Sequence, residues 1–132
     1  AIGRYPQKTT ALIMVLVDTS VWIDHLREPV PELVYLLESE QVLTHPFIIG
    51  ELACGTLRNR QNLLFNLGRL PRVPAANDEE VLALIERSGL MGKGVGYLDM
   101  HLLASARLAA ETHLWTRDKK LARLAGKLSM TH

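Results

Sequence analysis

At 132 residues, 48% hydrophobic and 22% charged, the chain is long enough to bury one core, too short for two, and too apolar to be disordered. A single cysteine, Cys54, excludes an internal disulfide framework and a cysteine metal cage, which fits a reducing compartment. No apolar run approaches the roughly 20 residues of a membrane span, and TTALIMVLV is too short and wrongly flanked for a signal peptide, so a cytoplasmic location is expected.

Residues 1–13 read as a leader or loose extension, with Met14 a candidate natural start and 14–132 a single domain. LIMVLV (12–17) has no polar alternation and reads as a buried parallel strand. SVWIDHLR follows as a helix with Ser20 as its expected cap, then PELVYLLESE with Pro31 in its first turn. QVLTH (41–45) is a weaker strand, FIIGELACGTL a helix with Ile48, Ile49, Leu52 and Ala53 on one side, and QNLLFNLGRL a further short helix. The neighbours of Cys54 suggest a packed thiol. RVP (72–74) is a weak strand; DEEVLALIERSGL then opens on Asp78, Glu79 and Glu80, which complement a helix dipole. GKGVG (92–96) lacks the Lys-Ser/Thr ending of a phosphate-binding loop and reads as a flexible connection carrying Lys93. YLDMHLLASARLAA and RDKKLARLAGK repeat apolar residues at helical spacing around a strand at HLWT (113–116), and KLSM (127–130) is the weakest strand candidate. Strands alternating with helices predict an α/β domain with a mainly parallel sheet.

The net charge is only +1, but it is unevenly spread. Arg58, Arg60, Arg69 and Arg72 fall in a stretch without acids, and Arg117, Lys119, Lys120, Arg123 and Lys127 are opposed only by Asp118. Such clusters are either solvated helix faces or contacts for a polyanion.

Asp18 directly follows Val17, at the carboxyl end of the first strand, where ligands of open α/β sheets bind. It is either that ligand-facing group or the cap of the next helix. Glu51 lies at the border of an apolar stripe, paired with Arg58 in its plainer reading, and Asp99 starts a hydrophobic helix. Asp118 repeats the strand-then-helix placement of Asp18. Four acids converging on one pocket would repel unless protonated or held by a cation, and hard oxygen donors without histidine or cysteine favour Mg²⁺ or Mn²⁺. Such ions promote phosphoryl hydrolysis.

VLVDTSVWID, FIIGELACGTL, GVGYLDMHLLASA and LWTRDKKL, in this order and spacing, resemble the PIN-domain ribonucleases, in particular VapC-type toxins of bacterial toxin and antitoxin pairs. The likeness runs from about Met14 onward and implies a three-layer α/β/α fold. It places the family's acidic constellation on Asp18, Glu51, Asp99 and Asp118, with Asp18 and Asp99 as direct Mg²⁺ or Mn²⁺ ligands. Glu51 is then a ligand or orients water, and Asp118 acts through water. The small polar positions fall on Thr19, Ser20 and Thr116. The resemblance further implies an endoribonuclease that blocks translation by cutting structured RNA such as transfer or ribosomal RNA, frequent homodimers, and inhibition by an antitoxin whose tail enters the acidic groove.

Arg117, Lys119 and Lys120 around Asp118, with Lys93, Arg58 and Arg60, are the candidate contacts to RNA phosphates. His25, His45, His101 and His113 form no spaced ligand pair and are expected at the surface or facing a partner; Trp22 and Trp115 are expected in the core. A catalytically silent RNA- or antitoxin-binding module is the rival reading. A small-molecule phosphatase is a second, weakened because Ser20 stands where its DxD motif needs an acid.

Overall fold

The computed structural model describes residues 12–132. Most of the expected leader, 1–13, therefore lies outside the described residues. The chain runs β1 (Met14–Val17), α1 (Thr19–Arg27), α2 (Pro31–Glu38), β2 (Val42–Leu43), α3 (Pro46–Ala53), α4 (Arg60–Gly68), α5 (Asp78–Ser88), α6 (Tyr97–Leu108), β3 (Thr112–Trp115) and α7 (Lys119–Lys127).

β1 is central: Val15 and Leu16 align with Val42 and Leu43 on one side, and Met14 to Val17 align with Thr112 to Trp115 on the other, all parallel. Single parallel bridges, Thr44 to Arg72 and Leu114 to Thr131, widen the sheet at each edge. A strand hydrogen-bonded on both edges and covered on both faces must be apolar throughout, and Val15, Leu16 and Val17 are buried accordingly. Helices joining parallel strands complete the expected three-layer α/β/α architecture. Because the strands share one direction, their carboxyl ends bring Asp18, His45 and the Thr116 to Asp118 turn to one edge of the sheet.

Local chemistry sets the helix starts. Asn77 and Glu80 form a reciprocal capping box at α5, and α2 and α3 each place a proline in the first turn. Gly89, at φ +63, ends α5 in the left-handed conformation that suits glycine.

Four local expectations change. Ser20 lies inside α1, and Asp18 holds the N-cap position without a side-chain capping bond, because its carboxylate is engaged elsewhere. KLSM forms no strand: Lys127 ends α7 and Thr131 makes the edge bridge, while RVP contributes only Arg72. Cys54 is exposed, since α3 turns Ile48 and Leu52 inward and the residue two beyond Leu52 lies round the helix from that face. His45 and His101 are buried rather than at the surface. Trp22 and Trp115 are in the core as expected. Among the described residues no helix is long and apolar enough to cross a membrane.

Candidate active site

Asp18 is 6% exposed, so its charge needs strong partners. Its Oδ2 accepts from Ser20 Oγ at 2.8 Å and from Thr116 Oγ1 at 2.8 Å. Each hydroxyl in turn accepts from the turn after β3: Arg117 N–H donates to Ser20 Oγ at 3.0 Å and Asp118 N–H to Thr116 Oγ1 at 3.0 Å. The Asp18 N–H itself donates to the Trp115 carbonyl at 2.9 Å. Two hydroxyls, each donating to a charge and accepting from an amide, thereby lock the ends of β1 and β3 together.

The other acids are fixed by their own elements. Asp118 caps α7, its Oδ1 accepting from Lys120 N–H at 2.9 Å and Leu121 N–H at 3.0 Å. Glu51 projects from α3 and accepts at Oε1 from Thr19 Oγ1 at 2.8 Å, which ties α3 to the first turn of α1. It pairs with this threonine rather than with Arg58. Asp99, in the first turn of α6, is half-buried.

Electrostatics shows that the four share one field. The Asp99 carboxyl is pushed up to about 6, first by burial and then by the charges of Asp18, Glu51 and Asp118. Each carboxylate also keeps an oxygen that accepts no hydrogen bond among the described residues: Asp18 Oδ1, Glu51 Oε2, Asp118 Oδ2 and both oxygens of Asp99. All the donors are oxygen, which matches a hard divalent cation rather than zinc. Among the described residues no three Asp, Glu, His or Cys side chains stand at ligand spacing. The acids are thus within electrostatic reach of one another without forming a closed cage.

The basic candidates separate. Arg117 Nε lies 3.4 Å from Asp24 Oδ2 on α1, and Arg60 donates to the Ala53 carbonyl at the end of α3 at 2.7 Å. Lys93, Arg58, Lys119 and Lys120 are exposed and make no ion pair among the described residues. An open cleft of about 490 Å³ between α5 and α6, lined in part by Glu80, Leu84, Arg87 and Arg107, contains none of the four acids.

One feature escapes a reading of the sequence. Asp78 Oδ1 accepts from Tyr97 O–H at 2.7 Å and meets His101 Nε2 at 3.1 Å, which holds the first turns of α5 and α6 together on either side of Asp99. Only the i, i+4 spacing of Tyr97 and His101 hinted that they share a face. Nearby, His45 Nδ1 accepts from Phe47 N–H at 2.9 Å at the start of α3. Its Nε2 is buried without a partner, and burial, then the charges of His101 and Arg72, lower its pKa to about 4.

The model of the PIN domain family matches residues 15–127, a span that takes in all four acids. The chain belongs to the PIN-domain family. Within it, the chain is similar to ribonuclease VapC32 of Mycobacterium tuberculosis, from strains CDC 1551 / Oshkosh and ATCC 25618 / H37Rv. Each is 45% identical over 108 residues, which cover 82% of this chain and 87% of the relative. The family likeness seen in the four motifs thus extends over most of this PIN domain.

The Thr116→Val variant of this PIN domain keeps the side-chain shape but removes a donor to buried Asp18 and an acceptor for Asp118 N–H. It is expected to lose about 1–3 kcal/mol in urea denaturation; wild-type stability would contradict the network.

Two titrations oppose each other between pH 4 and 6.5. Asp99, raised from 3.8 to about 6, binds more protons folded than unfolded, so its contribution to stability falls as pH rises through that window. His45, lowered from 6.5 to about 4, binds fewer, so its contribution rises with pH. Without metal, Asp99→Asn should therefore gain stability with pH more steeply than wild type, and His45→Asn, which retains a capping acceptor, less steeply. Denaturation midpoints across pH check both signs, and parallel curves for all three proteins would refute the assignment.

Proposed function

We propose that this PIN domain is a Mg²⁺- or Mn²⁺-dependent endoribonuclease, the toxin of a toxin and antitoxin pair. On this reading it acts in the cytoplasm, as a homodimer, on structured RNA such as transfer or ribosomal RNA, and so inhibits translation until its antitoxin covers the acidic groove. The observation that carries the reading is the gathering of acids at the strand ends: Thr116 joins Asp18 Oδ2 to the Asp118 amide, Thr19 holds Glu51 beside them, and Asp99 lies close enough to feel all three charges. Similarity to proteins named ribonuclease supports the substrate class.

Asp18 Oδ1 and Asp99 would hold the cation, with Glu51 Oε2 beside them and Asp118 Oδ2 reaching it through water. Such a cation, when bound, lowers the pKa of an attacking water and neutralises charge at the scissile phosphate. Ser20 and Thr116 keep Asp18 in one orientation by occupying its other oxygen, and Thr19 does the same for Glu51. Asp99 must lose its proton to join them, so proton and cation compete for it and cation affinity should weaken as pH falls. Arg117, Lys119, Lys120, Lys93, Arg58 and Arg60 are the proposed phosphate contacts, which favour affinity over sequence choice.

The silent-module reading draws on a different observation, the lack of ligand spacing among the acids. Purified protein incubated with total RNA, with Mn²⁺ or Mg²⁺ and with excess chelator, separates the two. Discrete new RNA ends that require metal, and that fall by at least roughly a hundredfold in Asp99→Asn, support the nuclease. RNA bound but uncut by folded, metal-supplied protein would favour the silent module.

A further inference from the structure

Lys120, alone among the basic candidates, is laid across a glycine of the loop that leads into Asp99. A Cβ on Gly94 would stand 3.1 Å from both Cδ and Nζ of Lys120 and 3.4 Å from its Cε, so the outer half of this side chain rests on the bare face of Gly94. Gly94 also has φ +78, a conformation that an L side chain resists. Short stretches of chain tie both ends of this contact to acids of the site. Gly96, two residues on, is the N-cap of α6, whose first turn carries Asp99. Lys120 follows Asp118 by two, and its N–H donates to Asp118 Oδ1 at 2.9 Å.

The ammonium is nevertheless unspent. Among the described residues Lys120 makes no ion pair, whereas Arg117 is drawn to Asp24 and Arg60 to the Ala53 carbonyl. Lys127, farther along the same helix, crosses the other end of the same loop and donates to the Gly89 carbonyl at 3.4 Å. Lys93 and Lys119 carry the same charge, but no comparable contact fixes their direction.

We infer that Lys120 is a phosphate-binding residue of the RNA cleavage site, and that Gly94 serves as the saddle that sets its ammonium at the rim of the four acids. This rests on the nuclease reading above. A cation held there engages a phosphate of the strand being cut, next to carboxylates that would otherwise repel it. A side chain at position 94 would shift this outer half by a few tenths of an ångström and would itself sit at a strained φ.

Initial cleavage rates on total RNA with Mn²⁺, over a series of RNA and KCl concentrations, test this with wild type, K120M, G94A, G94A/K120M and K127M. K120M keeps the aliphatic stem over Gly94 and removes only the charge. It is expected to raise the half-saturating RNA concentration roughly tenfold, with the maximal rate within about twofold. Its log-log salt dependence should be shallower by about 0.7 to 0.9. G94A should raise it in the same direction by a smaller factor, the double variant should match K120M, and K127M should behave as wild type. Thermal melts verify folding, and if G94A fails to fold, K120M against K127M decides. Cleavage by wild type with an unaltered half-saturation and salt slope in K120M would overturn this inference alone. Intact RNA from wild type would overturn the nuclease reading and this inference with it.

Discussion

The geometry of the site depends on a single carboxylate oxygen, Asp18 Oδ2. It accepts from Ser20 on α1 and Thr116 after β3, and those hydroxyls accept from the amides of Arg117 and Asp118. A buried carboxylate without such donors would be driven toward its neutral form or out of the core. Satisfied in this way, it stays at the mouth of the central strand and fixes where α1 starts and how the chain turns from β3 into α7. Asp118 then caps α7, and Thr19, the residue after Asp18, reaches across to Glu51. Three of the four acids are therefore placed by hydrogen bonds that trace back to one strand end.

The fourth acid shows what this placement costs. Asp99 is surrounded by burial and like charge, which work against its ionised form. Crowding carboxylates on a folded domain is unfavourable without a counter-charge, so a site of this kind gives up stability to gain affinity for a cation. The Asp78 contacts to Tyr97 and His101 are well placed to bear that strain, because they hold the same turn of α6 from its other side. His45, kept neutral by burial, adds a pH response of opposite sign at the neighbouring strand end.

Much of this was legible in the sequence because period and position carried it. The unbroken apolar run before Asp18 marked the central strand, and the helical spacing after Pro31, Asp78 and Tyr97 marked three helices. The four acids stood out as charges at the ends of apolar elements. What the sequence could not convey was competition for atoms. Ser20 looks like a helix cap until its hydroxyl is seen to donate to Asp18, and Glu51 looks like a partner for Arg58 until Thr19 proves nearer. His45 and His101 carried no sign of burial, because an aromatic cluster with Phe47 and Tyr97 encloses them and Asp78 is 23 residues from His101. The saddle formed by Gly94 depends equally on a chain crossing that no local pattern encodes.

The central claim is that the four carboxylates act together to bind divalent metal, and it is tested most directly by calorimetric titration of the metal-free protein with Mn²⁺. The titration is run near pH 6, where Asp99 is partly protonated, and again well above it, in buffers of differing ionisation enthalpy. The account predicts binding that releases a proton near pH 6, seen as a buffer-dependent heat, with no release at the higher pH and none from Asp99→Asn. Absence of Mn²⁺ binding, or binding near pH 6 with the same heat in every buffer, would contradict it.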